Sequence, residues 1–237
     1  REFGTIVLSD EIYSSLTYDN DSSAYTSISH YYPEGTIILD GISKWCGAGG
    51  WRLGYFIIPK QLQWLSNAMK TVASETFTSV SAPIQHAAIA AYDGHFENAE
   101  IQQYLTASKQ VLKRISNEVV DGLRAYDVDV LHPKGGFYCY GRINKTKKGK
   151  LLQQELYEHD EEAMREYVME KFFEDMLKES GVAVLPGHYF GSRVDRLCFR
   201  LSFVNFDGEK ALRQPDDESL YDNIYRGVEA LGQYLSQ

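Results

Sequence analysis

Apolar positions along this chain follow two rhythms. Short unbroken runs, TIVLSD (5–10), TIILDGI (36–42) and LGYFIIP (53–59), predict strands. TIVL has no polar alternation and reads as a strand buried on both faces. Such a strand needs neighbours on each side, so the sequence is read as part of a longer protein. Between the first two runs lies a polar and aromatic connection with turn residues, the pattern expected at the edge of an α/β sheet. QLQWLSNAMKTV (61–72) and APIQHAAIAAYDG (82–94) predict helices, the second stopped by Gly94. Residues 97–126 carry a long helical pattern with Val111, Leu112, Ile115 and Val119 on one face. It is long enough to leave one domain and enter another.

A second alternation follows. DVDVLHPKGGFYCYGRI (127–143) reads as strand, turn and strand. Residues 144–162 are charged and read as a solvated insertion. Residues 163–180 predict an amphipathic helix, with Met164, Val168, Phe172 and Met176 four apart and Gly181 as its stop. GVAVLPGHYFG and RLCFRLSFV predict two more strands, and SLYDNIYRGVEALGQYL a closing helix. The division expected is residues 1–105 and 106–237.

Composition narrows the function. The chain of 237 residues is 43% hydrophobic, enough for a sizeable core. Its formal charge of −9 argues against nucleic acid or an anionic membrane surface as partner. Cys46, Cys139 and Cys198 are far apart and odd in number, which suits a reducing compartment such as the cytoplasm. The histidines show no metal-ligand spacing, and no apolar run is long enough to span a bilayer.

The glycine-rich GAGGWR (47–52) meets only half of a dinucleotide fingerprint. Arg52 stands where the third glycine should be, and a bulky side chain there blocks close helix–strand packing. The glycines therefore read as a tight turn. Lys44 is the stronger candidate. It follows a strand run closely, near the carboxyl edge where open α/β sheets bind ligands. Ser43 is beside it, Arg52 follows in the same segment, and the earlier strand ends at Asp10. Arg200 sits inside the otherwise apolar LCFRLSF, where an unpartnered guanidinium is costly and a bound carboxylate would satisfy it.

SDEIY (9–13), GISKWCGAGGWRLGY (41–55), TFTSVSAPIQHAAIAAY (76–92), PKGGFY (133–138), VAVLPGHYFG (182–191) and FRLSF (199–203) come in this order. Together they resemble the class I aminotransferases, pyridoxal 5′-phosphate (PLP) enzymes of fold type I. The resemblance implies an α/β fold, with part of the PLP-binding large domain followed by an α+β small domain. It implies transfer of an amino group from an L-amino acid to a 2-oxo acid, and a homodimer for the whole protein. Lys44 would form the Schiff base with PLP, Asp10 would pair with the pyridinium nitrogen, and Tyr13 would bond the ring hydroxyl oxygen. Arg52 would clamp the phosphate, with Ser43 as a further contact. Arg200 would bind the substrate α-carboxylate. Gly41 stands where many relatives have a serine three residues before the lysine.

Family members are much longer, so the chain alone is expected to be inactive. The same motifs also fit a C–S lyase, an aminocyclopropane-carboxylate-synthase-like lyase or a non-catalytic aminotransferase-like sensor domain. No role is assigned to His188, read as a surface or loop histidine, and Arg196 is read as a surface residue.

Overall fold

The computed structural model describes residues 2–18, 25–95 and 98–237. The chain divides into two compact units, Arg1–Lys109 and Gln110–Gln237.

The first unit holds a three-stranded sheet. Strand β1 (Val7–Asp10) runs parallel to β2 (Thr36–Gly41), and β2 pairs antiparallel with β3 (Gly54–Ile57). The three early apolar runs thus each give a strand. Helices α1 (Gln63–Thr76) and α2 (Ala82–His95) follow, and α3 (Ala99–Arg124) carries the chain onward into the second unit. The core of this unit includes Ile37, Ile42, Trp45, Leu53 and Ala88.

Among the described residues β1 lies at the edge of the sheet and Leu8 is 66% exposed, so this chain by itself does not give TIVL the two-sided cover its pattern predicts. Its only sheet neighbour among the described residues is β2, so one side and one face lack cover. Helix α2 ends at His95, one residue past Gly94, close to the stop expected there.

The second unit is an antiparallel sheet in the order β4 (Asp129–Val130), β5 (Tyr138–Arg142), β7 (Cys198–Ser202), β6 (Leu185–Pro186). It carries helices α4 (Lys147–Tyr157), α5 (Glu162–Ser180), α6 (Gly208–Arg213) and α7 (Asp222–Ser236). Phe199 and Phe203, Met169 and Met176 of α5, and Leu231 and Leu235 of α7 are all essentially inaccessible. The α3 stripe of Val111, Leu112, Ile115 and Val119 is buried as its period predicts.

The expected solvated insertion is largely helix α4. Thr146 caps it, its hydroxyl accepting from Gly149 N at 3.0 Å. Leu152 and Leu156, four residues apart, are each 3% exposed. Gly149 is needed because a Cβ there would lie 1.8 Å from the Ile143 carbonyl oxygen. The charge run hides two apolar anchors, and only packing reveals them. In α5 the buried stripe is Val168, Met169, Phe173 and Met176, while Met164 is 43% exposed. A strict four-residue step advances about 40° past each full turn, so a true buried face must mix steps of three and four.

Candidate functional site

Parallel pairing of β1 and β2 aligns Asp10 with Leu39, so both strands finish at the same edge of the sheet. There the chain turns sharply. Glu11 N donates to Leu39 O at 2.8 Å, and Ser14 N to Glu11 O at 2.8 Å. Asp10 is exposed at this edge, accepting from Ile12 N at 3.3 Å. Tyr13, half-buried, follows on the same turn.

Lys44 leaves the end of β2 on the facing turn. It is half-buried, and its Nζ lies 5.4 Å from the centre of the Tyr13 ring. This cation–π distance places the amine over the phenol that the sequence pairs with it. Its backbone is held on both sides. Ile42 is 1% and Trp45 3% exposed. The Trp45 indole N–H donates to the Tyr92 hydroxyl at 3.5 Å, and Tyr92 packs edge-on against Tyr55. Tyr55 in turn donates to Asp40 Oδ2 at 3.1 Å. Burial first, then the Tyr92 hydrogen bond and the Asp40 charge, keep the Tyr55 phenol well above its ordinary range. Asp10, Tyr13, Ser43 and Lys44 thus gather on adjoining turns at one sheet edge. The half-buried Ser43 hydroxyl makes no hydrogen bond among the described residues.

The glycines after Lys44 build successive tight turns. Gly47 N donates to Lys44 O, Ala48 N to Ile42 O and Trp51 N to Ala48 O. Arg52 closes the segment in the left-handed region at φ 58°, its Nη1 donating to Gly49 O at 2.6 Å. Strand β3 follows this loop, not the helix that a dinucleotide fold requires. A cleft of about 490 Å³ opens between β3 and α2, lined by Leu53, Tyr55, Ala88, Ile89 and Tyr92, and none of Asp10, Tyr13 and Lys44 lines it.

Gly41 has a structural cause. It faces Gly54 across β2–β3, where a Cβ would sit 2.6 Å from the Leu53 carbonyl oxygen. No serine fits in this arrangement. Gly41→Ala is expected to destabilise the chain by about 1–3 kcal/mol, read as a lowered urea midpoint. An unchanged midpoint would show that β3 yields freely.

The sequence reading missed Glu11. Its carboxylate is 8% exposed and accepts from Ser9 Oγ at 2.9 Å and Ser27 Oγ at 2.5 Å. Burial, with the Glu11 charge second, pushes the Tyr25 phenol up to about 12. Glu11 ties the connection after β1 to the turn that presents Asp10 and Tyr13. Its sequence neighbours, Asp10 and Ile12, gave no sign that it turns inward. Glu11→Ala would strand these hydroxyls, at a cost of about 1–3 kcal/mol. Thermal unfolding with Glu11→Gln as the milder control measures it, and equal midpoints for the two variants would show that the hydrogen bonds contribute nothing.

In the second unit, Arg200 stands on the middle of β7, flanked by Tyr140 on β5 and Leu185 on β6. Its guanidinium carbon lies 4.4 Å from the Tyr138 ring centre and 4.1 Å from that of Phe190. No carboxylate or hydrogen-bond acceptor of the described residues pairs with it. Two aromatic faces support the cation while its in-plane N–H groups stay available, the geometry a carboxylate takes in bidentate fashion. Arg196 is exposed, as read from the sequence. His188 is not a surface residue: its side chain is 7% exposed. The turn Gly187–Phe190 folds it inward against α5, which one polar letter in a glycine-rich loop could not reveal.

A family model described as aminotransferase class I and II matches residues 1–211. The chain is 31% identical over 192 residues to an aspartate aminotransferase of Geobacillus stearothermophilus, covering 80% of this chain and 43% of that protein. It is 31% identical over 198 residues to a probable N-acetyl-LL-diaminopimelate aminotransferase of Bacillus subtilis (strain 168), covering 84% and 42%. The solved structure of an aromatic aminotransferase from Pyrococcus horikoshii OT3 superposes with a TM-score of 0.72 at 25% identity, over 99% of this chain and 52% of that one. The chain spans less than half the length of these two curated relatives.

Proposed function

The chain belongs to the class I and II aminotransferases and has the fold of the fold type I enzymes, and from that premise we propose that it carries the lysine and the carboxylate-binding arginine of a PLP-dependent transaminase. The observation that carries this reading is the gathering of Asp10, Tyr13 and Lys44 on adjoining turns at the shared end of two parallel strands.

The residues fit PLP by their chemistry. An exposed carboxylate, a phenol and an amine stand at one edge, with an unpaired serine hydroxyl beside them. When bound, PLP supplies an aldehyde for amine attachment and a pyridinium ring that stabilises negative charge at the substrate Cα. Lys44 Nζ would be the amine that holds the cofactor's aldehyde carbon, and when free it would serve as the base for the substrate Cα proton. Asp10 would face the ring nitrogen and favour its protonated form. Tyr13 would donate a hydrogen bond to the ring oxygen. Arg52 commits Nη1 to Gly49, which leaves Nε and Nη2 for the phosphate, and Ser43 adds a hydroxyl. Arg200 binds the α-carboxylate shared by amino-acid and 2-oxo-acid substrates.

The working protein is proposed to be a cytoplasmic homodimer. Three free cysteines suit a reducing compartment. Among the described residues no helix is long and apolar enough to cross a membrane.

Borohydride reduction of the full-length protein with PLP, followed by peptide mapping, tests the assignment. The adduct is expected on the Lys44 peptide, and an adduct only elsewhere would overturn it. Amino-group return to an added 2-oxo acid separates a transaminase from a lyase of the same fold.

A further inference from the structure

Between β6 and β7 the chain makes a compact turn that ends over Arg200. Leu185 pairs with Arg200 and Pro186 with Phe199, so the segment starts beside the guanidinium. It then turns through Gly187–Phe190 and reverses at Gly191, whose N–H donates to His188 O at 3.0 Å. Its far end is anchored where the Tyr140 and Ser192 hydroxyls meet at 2.6 Å. Between these anchors Phe190 lies on Arg200.

The middle of the segment is bonded to α5 through Glu170. The Tyr189 hydroxyl donates to Glu170 Oε1 at 3.0 Å, and the same carboxylate oxygen lies 3.7 Å from His188 Nε2. The Tyr189 phenol is held above its ordinary range, chiefly by that hydrogen bond and also by the charges of Glu170, Glu174 and Glu166. His188 packs edge-on against Tyr189, ring centres 4.6 Å apart. Both its ring nitrogens are buried without a hydrogen-bond partner among the described residues. A buried imidazole in this condition opposes the seated arrangement, because a lifted segment would return both nitrogens to water. The Tyr189–Glu170 bond and the Phe190–Arg200 contact act the other way.

We propose that Glu170 is a positioning residue for the carboxylate site, seating Leu185–Gly191 through Tyr189 so that Phe190 covers one face of Arg200 and leaves only the guanidinium edge for a substrate carboxylate. Glu170 touches no substrate. It sets the frequency with which Phe190 is in place, and His188 sets the opposing cost. The proposal rests on the reading of Arg200 as the carboxylate site.

The test uses the full-length enzyme with steady-state kinetics and, separately, hydrogen exchange of the 185–191 backbone. Glu170→Ala is expected to raise KM for both amino acid and 2-oxo acid roughly tenfold with kcat nearly unchanged, and to speed exchange in the segment. Tyr189→Phe, which removes one hydroxyl from an exposed side chain and leaves the fold intact, should do the same more weakly. His188→Phe should move exchange the opposite way, because it removes the unpartnered nitrogens. Arg200→Lys is the control. If it raises KM while the Glu170 and Tyr189 variants change neither KM nor exchange, the positioning role is wrong. If Arg200→Lys leaves KM untouched, the carboxylate reading itself has failed. Faster exchange in His188→Phe would also overturn the proposal.

Discussion

Lys44→Ala is expected to lower transamination by the full-length protein by about 10⁴-fold or more, the upper range for one proton-transferring side chain with the loss of covalent attachment added. The variant should still fold, because the cationic end of Lys44 is half-exposed and its fixed neighbours are Ile42 and Trp45. Thermal unfolding should therefore change little while activity disappears. Borohydride should leave no adduct on the peptide around residue 44. A small amine added to Lys44→Ala should restore part of the rate, since the missing function is a proton carrier near the substrate Cα. Full activity in the variant would remove Lys44 from the chemistry.

The second large effect belongs to Arg200. Arg200→Ala should lower kcat/KM for an amino acid roughly a hundredfold, the loss of about 3 kcal/mol from a two-pronged, charge-assisted carboxylate contact. Arg200→Lys keeps the charge but loses the planar fork, so its loss should lie between wild type and alanine. It also loses part of the stacking between Tyr138 and Phe190. An amine substrate lacking the carboxylate should be almost indifferent to either change. Arg196→Ala, at an exposed position nearby, should behave as wild type. Equal losses for acids and simple amines would mean that Arg200 supports the sheet and not the substrate.

Much of the architecture is legible in the one-dimensional pattern, for a local reason. Unbroken apolar runs gave three strands, and a mixed three-and-four spacing gave α3 with its buried Ile115 and Val119. Lys44 emerged from position, one turn past a strand end, and Asp10 from the end of the strand before it. Arg200 emerged from a contradiction, a cation inside an apolar run. Spacing rejected the dinucleotide loop, and the structure agrees, since β3 follows the glycines.

Other features depend on residues far apart in the chain, and no local pattern encodes them. Gly41 is obligatory because the Leu53–Gly54 backbone crosses it. Glu11 turns inward because Ser9 and Ser27 meet its carboxylate. Helix α4 forms in a charge run because Leu152 and Leu156 find a core. His188 is buried because its turn folds onto α5. The sequence by itself determined which residue types could do amine and carboxylate chemistry, and where most of the strands and long helices lie. Only the tertiary structure decided that Tyr13 lies under the Lys44 amine and that Arg200 is gripped by two rings, with no acid among the described residues beside it. Periodicity reports the burial of each element's own face, whereas a site is made from contacts between elements.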